Sequence, residues 1–198
     1  MSDAGAARGL TLYSRHGYRW EMARLPYVDP ETAPEVVRQV FAGLSGRLNI
    51  FGIVAHAPTL FGPLVALGDA VLVQQVLDAR LRELAILRVA RLSPARYVWA
   101  HHVQIALDAG VAREQIEALE RGEFEVPCFD ESEQLVLRFT TEVLRDVRAT
   151  DLTFAAMVQR FTAREVLELL VTIGLYMTLA RIMETTDVDL EPALAETA

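Results

Sequence analysis

An all-α, multi-helix orthogonal bundle is the fold class this sequence predicts. Apolar residues recur at helical spacing almost without interruption from Pro26 onward. No segment shows strand-type alternation, and no Asn-Gly pair marks a hairpin. Several apolar runs are preceded by a Ser, Thr or Asp with a Glu three residues later, the spacing that starts a helix. At 198 residues with 52% apolar content, the chain suffices for one domain with a proper core. The expected organisation is an N-terminal arm over 1–23, a single helical domain over 24–190 and an acidic tail over 191–198.

The arm is irregular, broken by Gly5, Gly9 and Gly17. Its Tyr13, Tyr18 and Trp20 suit packing on the same or a neighbouring subunit. Thr32 and Glu35 have capping-box spacing for a helix to about Leu44, where Gly43 and Gly46 end it. Asn49 to Ala55 is short and apolar, a strand or a buried helical turn, and its helical neighbours favour the turn. Pro58 suits the first turn of a helix reaching about Val76 with a bend at Pro63. Asp78 caps a helix over 79–92. Ser93 caps and Pro94 opens the next, which Gly110 closes.

A shorter helix covers about 113–120 and stops at Gly122. The segment 123–129, with Pro127 and Cys128, is a loop. Asp130 and Glu133 open a helix to about Arg145, and Asp151 to about Phe161 is helical again. Thr162 and Glu165 open a long apolar helix to about Thr185. From Asp187 the chain turns acidic and is expected to fray. The uncharged run Leu169 to Ala180 inside the long helix is too short to span a bilayer. Several helices are apolar on more than one face, which points to burial against another subunit.

The net charge is −8, and all 19 basic residues are arginine. Without a basic run, nucleic acid is not an expected partner. A single cysteine excludes an intrachain disulfide and a cysteine-based metal cluster. With no apolar leader at the N-terminus, a cytoplasmic protein without a membrane partner is expected.

The stretch LRELAILRVARLSPARYVWAHHVQIALDAG, from Leu81 to Gly110, holds the candidate chemistry. Glu83 shares a helical face with Arg80, Leu87 and Ala90, while Arg82, Arg88 and Arg91 lie off that line. In the second helix His102 runs with Val98 and Ile105, and His101 with Tyr97 and Gln104. The two histidines therefore point about 100° apart and cannot enter one site in the same way. Spacing alone favours a packed acid–imidazole pair over chemistry. Glu and His are nonetheless the usual general acid and base types, and apolar surroundings tune them for proton transfer. Tyr97, Trp99, His101, His56 and Arg80 are candidate pocket or supporting residues. The four histidines lack a chelating spacing, so neither a metal nor a cofactor is expected.

Taken together, RLRELAILRVARL and YVWAHHVQIALDAGV resemble the carboxymuconolactone decarboxylase and alkylhydroperoxidase D-like family, with supporting similarity from about Arg24 to Asp189. The resemblance implies the all-helical fold of that family and a homotrimer or homohexamer. Its thiol-peroxidase branch carries a Glu, two cysteines two residues apart and a His. These positions fall on Glu83, Ala95, Val98 and His102, so both sulfurs are missing and a dithiol cycle is not expected. The cysteine-free branch retains the acid and the imidazole. What it implies is a cofactor-free lyase acting on a small cyclic or unsaturated carboxylic acid or lactone. Glu83 and His102 are its catalytic pair, His101 or Tyr97 assists, and Arg80 holds a substrate carboxylate. The alternative is a non-catalytic, oligomeric ligand-binding or scaffold member of the family.

Overall fold

The computed structural model describes residues 23–195, so the aromatic arm, apart from Ala23, lies outside the described residues. Ten helices follow one another among them, with no strand. They are α1 (Glu35–Ala42), α2 (Asn49–Val54), α3 (Pro58–Val73), α4 (Ala79–Leu92) and α5 (Arg96–Asp108). After these come α6 (Arg113–Glu120), α7 (Glu131–Asp146), α8 (Asp151–Arg160), α9 (Ala163–Thr186) and α10 (Pro192–Ala195).

Helix starts are set by side chains that satisfy free amides. Asp78 accepts from the amides of Arg80 and Leu81 and fixes the start of α4. At α7, Asp130 accepts from the Glu133 amide at 2.9 Å and Glu133 returns to the Asp130 amide at 2.8 Å. Thr162 and Glu165 form the same reciprocal pair at α9. At α1 the expected box does not form. Pro34 is the N-cap and has no side chain to accept with, while Thr32 bonds back to the Asp29 carbonyl. The start of α5 also differs, because Ser93 ends α4 and Ala95 precedes α5 without a side-chain cap. Helix α3 runs through Pro63 and stops at Val73, short of Val76. Gly110 at φ +90° turns the chain out of α5 in a conformation that costs glycine little.

Helix α4 is the axle of the molecule, packed against α5, α7 and α9. Every residue from Arg82 to Ala90 is buried, which explains a run that carries apolar residues on all sides. One apolar cluster joins α4 and α5 to α9 and the N-terminal helices through Ile86, Val89, Val98, Ile173 and Tyr176. A second joins α4 to α6 and α7 through Leu84, Leu87, Leu119 and Leu137. Two arginines of α4 close the far end of α6. Arg88 donates to the Gly122 carbonyl and Arg91 to the Glu120 carbonyl, groups a helix end leaves free.

Helix α9 is 24 residues long, since it continues past Glu168 and Arg181. It is long and apolar enough to cross a membrane by length and composition, unlike the uncharged run alone. In the fold its Leu169, Ile173, Tyr176 and Ala180 are core residues. Glu168 accepts from the amides of Val76 and Leu77, both at 2.9 Å, tying the α3–α4 connection to α9.

The stretch after α9 is not frayed. Val188 and Leu190 face the core, so the intervening acids are carried to polar partners. Asp189 accepts from Tyr27 Oη at 2.8 Å and from the Ala23 amide at 3.2 Å. Its carbonyl accepts from Asn49 Nδ2 at 2.9 Å. The acidic segment thereby clasps the first described residues, α2 and α5 together.

Candidate functional site

Glu83 lies in the second turn of α4 on the side that meets α5 and α9. Its side chain is wholly buried. The His102 ring reaches it from the middle of α5, with Nδ1 at 2.7 Å from Glu83 Oε2. A carboxylate acceptor selects the tautomer with the proton on Nδ1. The opposite nitrogen, Nε2, has no hydrogen-bond partner among the described residues. The His102 side chain as a whole is buried, at 8% exposure.

The other carboxylate oxygen is also engaged, since Arg82 Nε donates to Glu83 Oε1 at 3.1 Å. A buried guanidinium is the partner an ionised carboxylate requires in a core. Tyr176 of α9 presents itself edge-on to the His102 ring, with centroids 4.9 Å apart. Burial pushes the Tyr176 hydroxyl far up, and the negative Glu83 pushes in the same direction. The four side chains make a buried unit in which one imidazole nitrogen has no hydrogen-bond partner among the described residues.

His101 enters a different cluster, as the turn between the two histidines requires. Its Nε2 lies 2.6 Å from Glu191 Oε2, and its ring stacks on Tyr97 with centroids 4.4 Å apart. Tyr97 Oη donates to Glu191 Oε1, which also accepts from the Asn49 amide at 2.8 Å. Burial works against the Glu191 charge, but these donors outweigh it and hold the carboxyl down at about 2. Burial and the same carboxylate drive the Tyr97 hydroxyl far up.

Two supporting assignments change. Arg80 does not face the Glu83 pair. Its guanidinium bonds Glu133 of α7, a buried acid that also accepts from Gln115 Nε2 at 2.9 Å. The long arginine arm carries the charge away from the face its Cα occupies. Arg82, assigned off the line by helical spacing, is the residue that reaches Glu83. His56 is exposed at the end of α2, with Nε2 2.7 Å from the Pro26 carbonyl, and is part of neither cluster.

Trp99 lines an open groove of about 740 Å³ along the outer side of α5. Ala95 contributes to that groove, whereas Glu83 and His102 do not. Val98 is buried in the core. Burial and the nearby Glu114 push the Cys128 thiol up, away from reactivity. Among the described residues no group of three or more His, Cys, Asp or Glu is placed to hold a metal ion.

Three functional neighbours escaped sequence reasoning. Arg82 is adjacent to Glu83, and adjacent helical residues do not ordinarily face one another. Tyr176 sits in a helix so uniformly apolar that no polar stripe marks it. Glu191 had a legible signal, the alternation of Val188 and Leu190 with acids, which marks an extended, half-buried stretch.

No curated protein sequence matches the chain. Residues 58–142 match the carboxymuconolactone decarboxylase family. Among solved structures, the fold is similar to the alkylhydroperoxidase AhpD core of an uncharacterized peroxidase-related protein from Ralstonia eutropha. That pair is 16% identical, covering 89% of this chain and 96% of the other, with a TM-score of 0.76. An uncharacterized peroxidase-related protein from Silicibacter sp. is 16% identical over 88% of this chain and 95% of its own, with a TM-score of 0.72. The debrominase Bmp8, in complex with 2,3,4-tribromopyrrole, is 17% identical over 90% and 96%, with a TM-score of 0.70. At these identities the likeness is one of fold. Residues 58–142 therefore carry the match to the carboxymuconolactone decarboxylase family, on an alkylhydroperoxidase D-like fold, in a chain whose only cysteine is Cys128.

Proposed function

We propose that this protein is a cofactor-free acid/base enzyme, a lyase acting on a small cyclic or unsaturated carboxylic acid or lactone. The observation that carries this reading is the buried 2.7 Å Glu83–His102 bond, which leaves the other ring nitrogen without a hydrogen-bond partner among the described residues. His102 is the group that meets substrate. Glu83, which has no exposed surface, is a positioning residue that fixes the His102 tautomer and stabilises the imidazolium.

In a decarboxylation the bond to the departing carboxylate breaks and its electron pair moves into the conjugated carbonyl. Carbon dioxide leaves, and protonated His102 delivers the Nε2 proton to carbon, to be replenished from water. One proton is consumed and one carbon dioxide released. Dithiol peroxidase chemistry is not part of the proposal, because Ala95 and Val98 occupy the cysteine positions. The proposal includes a cytoplasmic homotrimer or homohexamer. Exposed Leu152, Phe154 and Val158 on α8 and Leu167 and Val171 on α9 support such burial against another subunit.

Turnover of a panel of unsaturated lactone acids by purified protein, His102→Gln and Glu83→Gln tests the reading. His102→Gln is expected to lose at least a hundredfold in kcat, and Glu83→Gln to lower kcat and shift the pH profile. Turnover that survives both substitutions overturns it. A second reading, a non-catalytic ligand-binding or scaffold protein, is favoured by one observation: neither Glu83 nor His102 lines the groove. Ligand binding without turnover of any panel member supports that reading.

A further inference from the structure

The groove on the outer side of α5 has an apolar floor. Trp99, Val103 and Leu107 follow one another at intervals of four residues, which places them on one helical face, and each is half-buried. Leu194 of α10 lines the groove as well. Neither Glu83 nor His102 lines it, so its occupant is a separate matter from the proposed acid/base centre.

The first described residues are fastened beside one end of this groove. The Arg24 amide donates to the Thr186 carbonyl at 2.7 Å, and Arg24 Nη1 donates to the Thr185 carbonyl at 3.0 Å. Glu184, the residue before Thr185 on α9, accepts at 2.9 Å from the amide of Arg96, which lines the groove where α5 begins. The Ala23 amide donates to Asp189, in the segment that runs on to Leu194. The chain that precedes Ala23 therefore joins the fold at the α5 N-terminal end of the groove.

Twenty-two residues precede Ala23, and they include Leu10, Leu12, Tyr18 and Trp20. Trp20 is three residues from Ala23, a reach of about 10 Å. From Arg96 to Leu107 the helix α5 rises about 17 Å, which five or six extended residues span. We propose that the segment before Ala23 docks in this groove of its own chain, with the Tyr18 and Trp20 rings against Trp99, Val103 and Leu107. Packed aromatic side chains each bury about 150–250 Å². A segment attached at the mouth of the groove docks in an intramolecular step, with little loop-closure entropy left to lose.

Trp20 and Trp99 are the chain's two tryptophans, so the fluorescence of each can be read alone. In Trp99→Phe, acrylamide quenching of Trp20 is expected to be at least threefold weaker than that of N-acetyltryptophanamide. Adding Val103→Glu, which sets a charge in the groove floor, should at least double the quenching while circular dichroism shows the fold retained. In Trp20→Phe, deleting residues 2–21 should at least double the quenching of Trp99, a readout that leaves every described residue in place. Trp20 quenched as freely as the small amide overturns the proposal, as does a Trp99 signal indifferent to the deletion. Protection of Trp20 that survives Val103→Glu in the folded protein puts the segment elsewhere, and the proposal fails. It fails equally if the protection is lost on dilution without unfolding, since the groove is then filled by the segment of another copy.

Discussion

Glu83 and His102 are joined at 2.7 Å across the α4–α5 contact, and both carboxylate oxygens of Glu83 are occupied, one by His102 and one by Arg82. The acid is wholly buried, so its influence on a substrate passes through the ring. Removing Glu83 takes a partner from both His102 and Arg82, and removing either of those takes one donor from Glu83.

That arrangement sets a stability expectation. Glu83→Gln places an amide donor against one of two existing donors, and should cost about 1–3 kcal/mol in urea unfolding. Arg82→Met leaves the buried carboxylate without its cation and should cost more, about 3–5 kcal/mol. Equal and negligible losses for both would show that the buried pairing is not maintained in solution.

The Glu191 carboxyl, held down at about 2 by His101, Tyr97 and the Asn49 amide, gives a pH expectation. A carboxyl depressed in the folded state contributes stability that is fully present above its unfolded value, near 4.5. The contribution is lost as pH falls from there toward 2. Glu191→Gln should therefore be less stable than wild type at pH 7, by roughly 2 kcal/mol. The two unfolding curves should draw together as pH drops from about 5 and meet only near pH 2. A gap that stays constant with pH would remove Glu191 as the titrating group.

Arg88 is buried, bonds Thr141 Oγ1 at 3.0 Å and the Gly122 carbonyl at 2.9 Å, and stands 4.6 Å over the Phe124 ring. No carboxylate pairs with it among the described residues. Burial first, then Arg145 and Arg91, lower its value to about 10. Arg88→Lys keeps the charge but cannot make the forked contacts, so it should destabilise by at least about 1 kcal/mol, and Arg88→Ala by more. Thermal unfolding of the two variants distinguishes shape from charge, since equal stability of wild type and Arg88→Lys would assign the role to charge alone.

Gly52 meets Tyr27 so closely that an added Cβ would lie 3.0 Å from Tyr27 Cδ1 and 3.1 Å from Tyr27 Cβ. Tyr27 cannot swing aside freely because its hydroxyl is bonded to Asp189. Gly52→Ala should cost about 1–3 kcal/mol, the usual range for overpacking. Adding Tyr27→Ala should recover part of that loss, and a double-mutant cycle measures the coupling. A strictly additive pair would mean that the contact does not constrain the substitution.

Much of this architecture was legible. The bounds of α4 and α6 follow from Asp78 at one start and Gly122 at one stop, and the reciprocal caps at Asp130 and Thr162 mark α7 and α9. The Glu83–His102 partnership followed from a family resemblance, since helical spacing alone says nothing of which two helices meet. What escaped notice depended on side-chain reach and on distant segments. Arg80 and Arg82 exchanged the expected roles because a guanidinium ends far from its Cα. Thr32 failed to cap because Pro34 took the boundary position. Glu191 looked like solvated tail because composition gives no warning that Tyr97 and His101 wait for it.

The clasp formed by Asp189 closes on Tyr27 across 162 residues. Such a contact gains nothing until nearly all the intervening chain is ordered, since loop-closure entropy must be met first. The helical body can assemble around α4 from contacts between neighbouring helices, with the clasp joining last. By the same accounting it is the natural place for reversal to begin. An excursion that lifts 187–191 away would release His101 and Tyr97 while α4 and His102 stay in place, so the two histidines should report different motions on different timescales.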